Sequence, residues 1–421
     1  MQQRVKKAWG AGVAVGGFLL IGTLLYSGTG NGLVVPISGL HPKQAIDKEF
    51  LANQLGTAIR NNSFPEKFAL EVEGATKQAS VQYTLNEAAQ AEMQKLMGQY
   101  KPDYGAFVAM DARTGRILSM VSYSSRLGAE NLTLRATFPS ASIFKVVTAS
   151  AAIDLNKASP NTVVPFNGAL HTLYKKNVES TKETRWTRHM TMREAFARSV
   201  NVFFGKLGLF YVGPRNLEMY AERFLFNHPI RADVPVQTGY AKISSEDPWS
   251  VVEAASGYTR ENTMSPLHGA LIAAAVANDG VMMEPYLVDS LHNERGETMY
   301  RGEPQQASVV VEPQSAEDLR ELFQQTVRSG TSRRSFRQIV RRRSYDDVEF
   351  GGKTGSLMGA DPHGKCDWFV GYARYRDQRI AVAALTVNEK KWKVKSSMLA
   401  KLFFQKYLKD AKANESIADA R

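Results

Sequence analysis

The spacing of apolar residues divides the chain into a long uncharged run, a short amphipathic piece and a regular remainder. Residues 8–26 are 19 consecutive positions without a charge, long enough to cross a bilayer and longer than the apolar part of a usual export leader. Arg4, Lys6 and Lys7 precede this run, and positive residues stay on the cytoplasmic side. The pattern predicts a cytoplasmic stub at 1–7, an uncleaved single-pass anchor at 8–26, and export of everything after Tyr26. A glycine-rich link follows, and then Ile46, Phe50, Leu51, Leu55 and Ile59 recur near helical spacing. Residues 28–77 are too few for an independent enzyme, so they read as a linker or small pedestal.

From Val81 onward the pattern is regular. Residues 86–97 read as a helix. Two apolar runs, 106–112 and 117–123, joined by Arg113-Thr114-Gly115-Arg116, read as a β-hairpin. Residues 368–375 and 380–387, turned at Arg376-Asp377-Gln378, read as a second hairpin. Helical patterns at 142–155, 192–208, 267–278 and 315–327 lie between them. Strands at both ends with helices between predict a mixed α/β domain, an antiparallel sheet flanked by helices with the two chain ends adjacent in the sheet. That domain spans about 78–410, and 411–421 read as a polar, frayed tail.

Composition removes several classes of function. One cysteine among 421 residues excludes an intramolecular disulfide and zinc-finger spacing. The seven histidines form no metalloprotease helix motif, so neither a metal nor a cofactor is expected. The net charge of +12 favours an anionic partner. Export of the domain argues against that partner being nucleic acid.

Three short motifs carry chemistry. Ser142-Ile143-Phe144-Lys145 opens an apolar helix, with Ser142 and Lys145 sharing a face at i, i+3. A serine hydroxyl needs a base, and a lysine desolvated in such a helix becomes one. Ser199-Val200-Asn201 brings a hydroxyl and an amide into a cleft if it lies in a loop between helices. In Lys353-Thr354-Gly355-Ser356, Gly355 admits a close backbone approach, while Lys353, Thr354 and Ser356 offer charge and donors to a carboxylate. Each motif alone is a common accident. Together, in this order over about 210 residues of a mixed domain, they form a serine–lysine penicillin-recognising set.

At these residues the sequence resembles the transpeptidase domain of the class B, monofunctional penicillin-binding proteins, over about residues 78–405. GAFVAMDARTGRILSMVS is similar to the family's opening hairpin and FPSASIFK to its nucleophile motif. MTMREAFARSVNVFF is similar to its second motif, MSPLHGALIAAAVANDG to its buried helix, and GGKTGS with CDWFVGYA to its third motif and following strand. Ala141 stands where the family usually has glycine, Ser140 where it often has proline, and Ser356 replaces the common threonine. No reacting group is lost. The pedestal is shorter than is usual, with room for no glycosyltransferase domain.

The resemblance implies a peptidoglycan D,D-transpeptidase on the periplasmic side of the inner membrane. Ser142 attacks the carbonyl between two D-alanines of a stem peptide and Lys145 takes its proton. Ser199 relays a proton to the leaving amine, held by Lys353. Asn201 holds the substrate amide and helps to place Lys145. Thr354 and Ser356 bind the terminal carboxylate, and the Ser142 and Ser356 amides form an oxyanion hole. β-Lactams block Ser142, and a membrane glycan polymerase is a candidate partner. The alternatives are a D,D-carboxypeptidase, a serine β-lactamase and a β-lactam sensor that acylates without turnover. Lys353 is expected at a strand edge beside Thr354 and Ser356 as a charge near the substrate carboxylate, so Lys353→Arg, which keeps a cation there, is expected to keep measurable acylation. The seven arginines between 328 and 343 read as a solvated face. Cys366, His189 and His363 read as structural.

Overall fold

The computed structural model describes residues 46–418 apart from 73, 74, 127 and 129. The stub and the anchor expected at 1–7 and 8–26 lie outside the described residues. Among the described residues no helix is long and apolar enough to cross a membrane.

The domain is built on a five-stranded antiparallel sheet ordered Val348–Ala360, His363–Tyr375, Gln378–Asn388, Tyr104–Asp111, Ile117–Ser124. The last strand, Gln378–Asn388, pairs with the first strand of this sheet, Tyr104–Asp111, with Ala383 opposite Val108, so the two expected hairpins lie side by side. Alternation along these strands feeds two cores. Ala381, Ala383 and Leu385 join Ala106, Val108 and Met110 on one face. Ile380, Val382 and Ala384 join Phe107 and Ala109 on the other. Period-2 side-chain alternation in a sheet covered on both faces requires apolar residues at nearly every position, as Gln378–Asn388 shows. The helix Pro266–Ala277 covers the first face and is buried on all sides. The helices Glu87–Tyr100 and Ser396–Ala418 cover the second.

Two boundaries differ from the sequence reading. The pedestal does not stop at 77. Strands Lys67–Val72 and Ala75–Tyr83 form a four-stranded sheet with Val288–Asn293 and Thr298–Arg301, so the 77/78 boundary falls inside a strand. The amphipathic helix, observed at Lys48–Arg60 and capped by Asp47 on the Phe50 amide, sinks Leu51, Leu55 and Ile59 into the main core. Lys48 also meets Glu284 at 2.8 Å, both side chains being buried. At the other end, the C-terminal helix runs to Ala418, through most of the segment expected to fray, because Phe403, Phe404 and Leu408 anchor it to the second core.

Candidate active site

The nucleophile turn is a short 3-10 segment, Ala141–Phe144, continued by the helix Lys145–Asp154. Three contacts fix it. Trp368 Nε1 donates to the Pro139 carbonyl at 2.9 Å. The Ser140 amide donates to the Asn262 carbonyl at 2.7 Å. Thr148 Oγ1 donates to the Ala255 carbonyl at 2.9 Å, which ties this helix to the helix Pro248–Ser256. Ala141 adopts φ +48°, a left-handed backbone that glycine takes at less cost. The turn therefore rests on a residue that strains to adopt this backbone.

Lys145 is fully buried. Its Nζ lies 2.8 Å from Ser142 Oγ and 2.8 Å from Asn201 Oδ1, and also meets the Ser256 carbonyl. Burial, then the nearby Lys353 charge, holds its pKa well below the usual lysine range. A neutral amine has two N–H groups and one lone pair. Asn201 Oδ1 and the Ser256 carbonyl accept the two N–H groups, which leaves the lone pair to receive the Ser142 proton. Asn201 is itself held: its amide nitrogens donate to the Leu170 and His171 carbonyls at 2.8 and 2.7 Å. Those carbonyls come from the excursion 163–191.

Residues 192–208 are not one helix. Met192–Ala197 ends, Ser199 takes φ +57°, and Asn201–Lys206 starts a new helix. The break is what lets a hydroxyl and an amide two residues apart face the same cleft. A catalytic residue held in a sparsely populated backbone region is typical of such sites. Ser199 Oγ accepts from Lys353 Nζ at 2.8 Å.

Lys353 lies on the edge strand of the sheet, as expected, but its side chain is buried. Its Nζ also donates to the Thr354 carbonyl at 2.8 Å and lies 5.4 Å from the Phe196 ring centroid. Burial lowers its pKa to about 7. A guanidinium is larger than the buried ammonium and would not give up its proton there, so Lys353→Arg is expected to lose acylation rather than retain it. The reason is strand alternation: Lys353 and Gly355 turn to the Ser199 side, and Thr354 and Ser356 to the other. Thr354 Oγ1 pairs with Thr331 Oγ1 at 2.6 Å, while Ser356 is exposed. A Cβ on Gly355 would stand 3.3 Å from the Ser142 amide, so the strand passes directly beside the nucleophile.

The structure thus brings Ser142, Lys145, Ser199, Asn201 and Lys353 together, with Thr354, Gly355 and Ser356 on the adjoining strand. Sequence reasoning missed the Ser256 carbonyl, Gly257, Thr331 and the 170–171 carbonyls. Only Gly257 had a signal, a glycine closing a helix. It takes φ +63°, and a Cβ there would come within 1.9 Å of the Ala141 carbonyl. Glycine at this C-cap lets the end of Pro248–Ser256 press against the nucleophile turn and deliver the Ser256 carbonyl to Lys145.

A serine paired with a buried lysine, a second serine–lysine pair 2.8 Å apart, and a β-strand alongside define a serine acyl-transfer site on a penicillin-recognising fold. The sequence profile of the penicillin-binding protein transpeptidase domain matches residues 105–409, and the chain belongs to that family. It is 27% identical over 348 residues to the peptidoglycan D,D-transpeptidase PbpA of Mycolicibacterium smegmatis, covering 74% of this chain and 67% of that protein. It is 28% identical over 350 residues to PbpA of Mycobacterium tuberculosis, covering 75% and 68%. Among solved structures, the D,D-transpeptidase domain from Eggerthella lenta superposes with a TM-score of 0.67 at 24% identity, covering 85% of this chain and 87% of that one. The ceftriaxone acyl-enzyme of penicillin-binding protein A from M. tuberculosis gives 0.63 at 25% identity, covering 79% of each chain.

Proposed function

We propose that the protein is a peptidoglycan D,D-transpeptidase that works through an acyl-enzyme on Ser142 and is inactivated by β-lactams. The observation that carries this reading is the Lys145 amine. Two fixed acceptors occupy its N–H groups and aim its lone pair at the nucleophile. Ser142 Oγ attacks the carbonyl joining two D-alanines while its proton passes to Lys145. The C–N bond breaks, and the leaving D-alanine amine takes a proton by way of Ser199 and Lys353. An amine of a second stem peptide then attacks the ester, forming the new amide and returning the proton to Ser142. The Ser142 and Ser356 amides receive the oxyanion. Thr354, now paired with Thr331, and the exposed Ser356 offer the hydroxyls for the substrate carboxylate.

The test is labelling with fluorescent penicillin and peptide mapping of the adduct. Adduct on Ser142, together with crosslinked product from stem peptides, supports the reading. Adduct on another serine overturns it, and release of D-alanine without crosslinking makes the enzyme a carboxypeptidase.

The uncharged run at 8–26 supports a single membrane anchor with the enzyme outside the cytoplasm, in reach of a membrane glycan polymerase. Cys366 is buried, and the Gln78 side is exposed, so Gln78→Cys offers a clean reporter. A thiol probe that cannot cross membranes should label it in outer-permeabilised cells. Labelling only after the cytoplasm is opened reverses the topology.

A further inference from the structure

The seven arginines between 328 and 343 are all exposed, as a solvated face requires, but three of them do more than face water. Arg333, Arg334 and Arg337, with Ser335, Gln338 and Met398, line a cavity of about 400 Å³ between the helix Arg333–Val340 and the start of the C-terminal helix. Ser335 Oγ, which lines it, pairs with Ser397 Oγ of the C-terminal helix at 2.8 Å. Among the described residues no carboxylate lies within ion-pair distance of the three guanidinium groups.

The arrangement works against the helix that bears it. Arg333 and Arg337 are like charges at i, i+4, and Arg333 and Arg334 oppose the helix dipole from its first turn. A further cation lies on the same seam. Lys401 is only 7% exposed, stands between Ser397 and Phe404 on the face of the C-terminal helix that meets Ser335 and Phe336, and has no acidic partner among the described residues. Burial lowers its pKa. The cavity begins two residues beyond Thr331, which touches Thr354 of the active-site strand.

We propose that this cavity binds phosphate groups of a soluble polyanion, with Arg333, Arg334 and Arg337 as its ligands. Guanidinium forks read phosphate oxygens in pairs. Three forks around one cavity match a chain of successive charges better than a single carboxylate. A bilayer surface is the poorer occupant. The C-terminal helix runs from Ser397, at the cavity, to Lys412, which lies over Tyr375 at the hairpin-turn end of the sheet, about 22 Å along the helix axis. Arg113 of the neighbouring turn contacts Asp377 there. Gly115 of that turn packs on Glu284, the partner of Lys48. Lys48, at the start of the first described helix, therefore lies toward the hairpin-turn end of the sheet, away from the cavity.

The test uses the whole chain in detergent, a fluorescein-labelled linear polyphosphate, and anisotropy at near-physiological salt. Arg333→Gln/Arg334→Gln/Arg337→Gln should weaken binding at least about tenfold. Arg341→Gln/Arg342→Gln/Arg343→Gln, which removes equal charge outside the cavity, should change it less than about threefold. Arg337→Gln alone should fall between. Penicillin acylation should be unaltered in every variant, so a failure here is distinct from failure of the transpeptidase reading. Equal losses in both triple variants reduce the effect to net charge and overturn the site. Equally tight binding of polyglutamate overturns the phosphate assignment. Capture by phosphatidylglycerol vesicles through the same three arginines, without polyphosphate binding, makes it a membrane contact instead.

Discussion

The two halves of the cleft each hold a buried lysine with no carboxylate partner among the described residues, yet they surround it differently. On the nucleophile side, Lys145 has three oxygen neighbours: Ser142 Oγ, Asn201 Oδ1 and the Ser256 carbonyl. On the relay side, Lys353 has two: Ser199 Oγ and the Thr354 carbonyl. The first set is complete and directs a lone pair. The second leaves one N–H of an ammonium for an incoming group. Burial lowers both pKa values, so shared burial with different company separates a base from an electrostatic anchor.

The largest effect expected is at the reacting atom. Ser142→Ala should abolish covalent penicillin labelling while thermal melting is unchanged. Lys145→Arg comes next. A guanidinium does not give up its proton, so timed labelling should slow by about 10² to 10⁴, the usual worth of a general base. If Lys145→Arg acylates at near the native rate, the base lies elsewhere and the contrast between the halves collapses.

Gly257→Ala tests whether the third acceptor matters. The new Cβ cannot stay 1.9 Å from the Ala141 carbonyl, so the end of Pro248–Ser256 must withdraw from Lys145. A displacement of this kind at a catalytic group costs on the order of 10²-fold. The loss should appear in the acylation rate, with the pH at which the rate rises shifted. A variant that merely melts earlier, with rate and pH profile intact, removes Ser256 from the mechanism.

The relay half should reveal itself in pH. Lys353 is charged below about 7 and neutral above it. If its charge anchors the substrate carboxylate, acylation should fall as pH rises through about 7, and Lys353→Met should abolish that falling limb at a lower overall rate. Stability should move the other way. Between about 7 and the ordinary lysine value of 10.5 the unfolded chain holds the proton and the folded chain does not, so unfolding free energy should rise with pH across that window. Lys353→Met should flatten the slope in denaturant melts. A rate that keeps climbing above pH 7 in the native enzyme assigns Lys353 to proton transfer as the neutral amine.

How legible each half was in the sequence follows from the same contrast. The nucleophile helix was read from local signals, since Ser142 and Lys145 lie one turn apart on an apolar helix. The sheet was legible because hairpin turns and strand alternation are local as well. The burial of Lys353 was not. Strand alternation gives its side but not what covers that side, which is Phe196 and Ser199 from more than 150 residues earlier. The carbonyls of Leu170, His171 and Ser256 left no trace, because a backbone oxygen is the same in every residue. The pedestal was misjudged for a related reason. Its strands complete a sheet with residues 288–301, and a pairing that distant carries no signal in local spacing.

The smallest effect expected concerns Thr331, which touches only the relay half. Its hydroxyl pairs with Thr354 Oγ1 at 2.6 Å and its amide donates to the Ala197 carbonyl; among the described residues no hydrogen bond joins it to the nucleophile half. Thr331→Val keeps the shape and removes the hydrogen bond. A neutral hydrogen bond nets about 0.5–1.5 kcal/mol, so the second-order rate of penicillin acylation should change by about two- to tenfold. Two outcomes divide on the sign. If Thr331 parks the Thr354 hydroxyl away from the substrate, the variant frees that hydroxyl for the carboxylate, and acylation at low penicillin should rise. If Thr331 instead holds Thr354 in its binding orientation, acylation at low penicillin should fall while the rate at saturation stays the same. A change in the saturated rate, or a shift of the rising pH limb set by Lys145, would show that the two halves are coupled and that dividing the cleft into base and anchor is too simple.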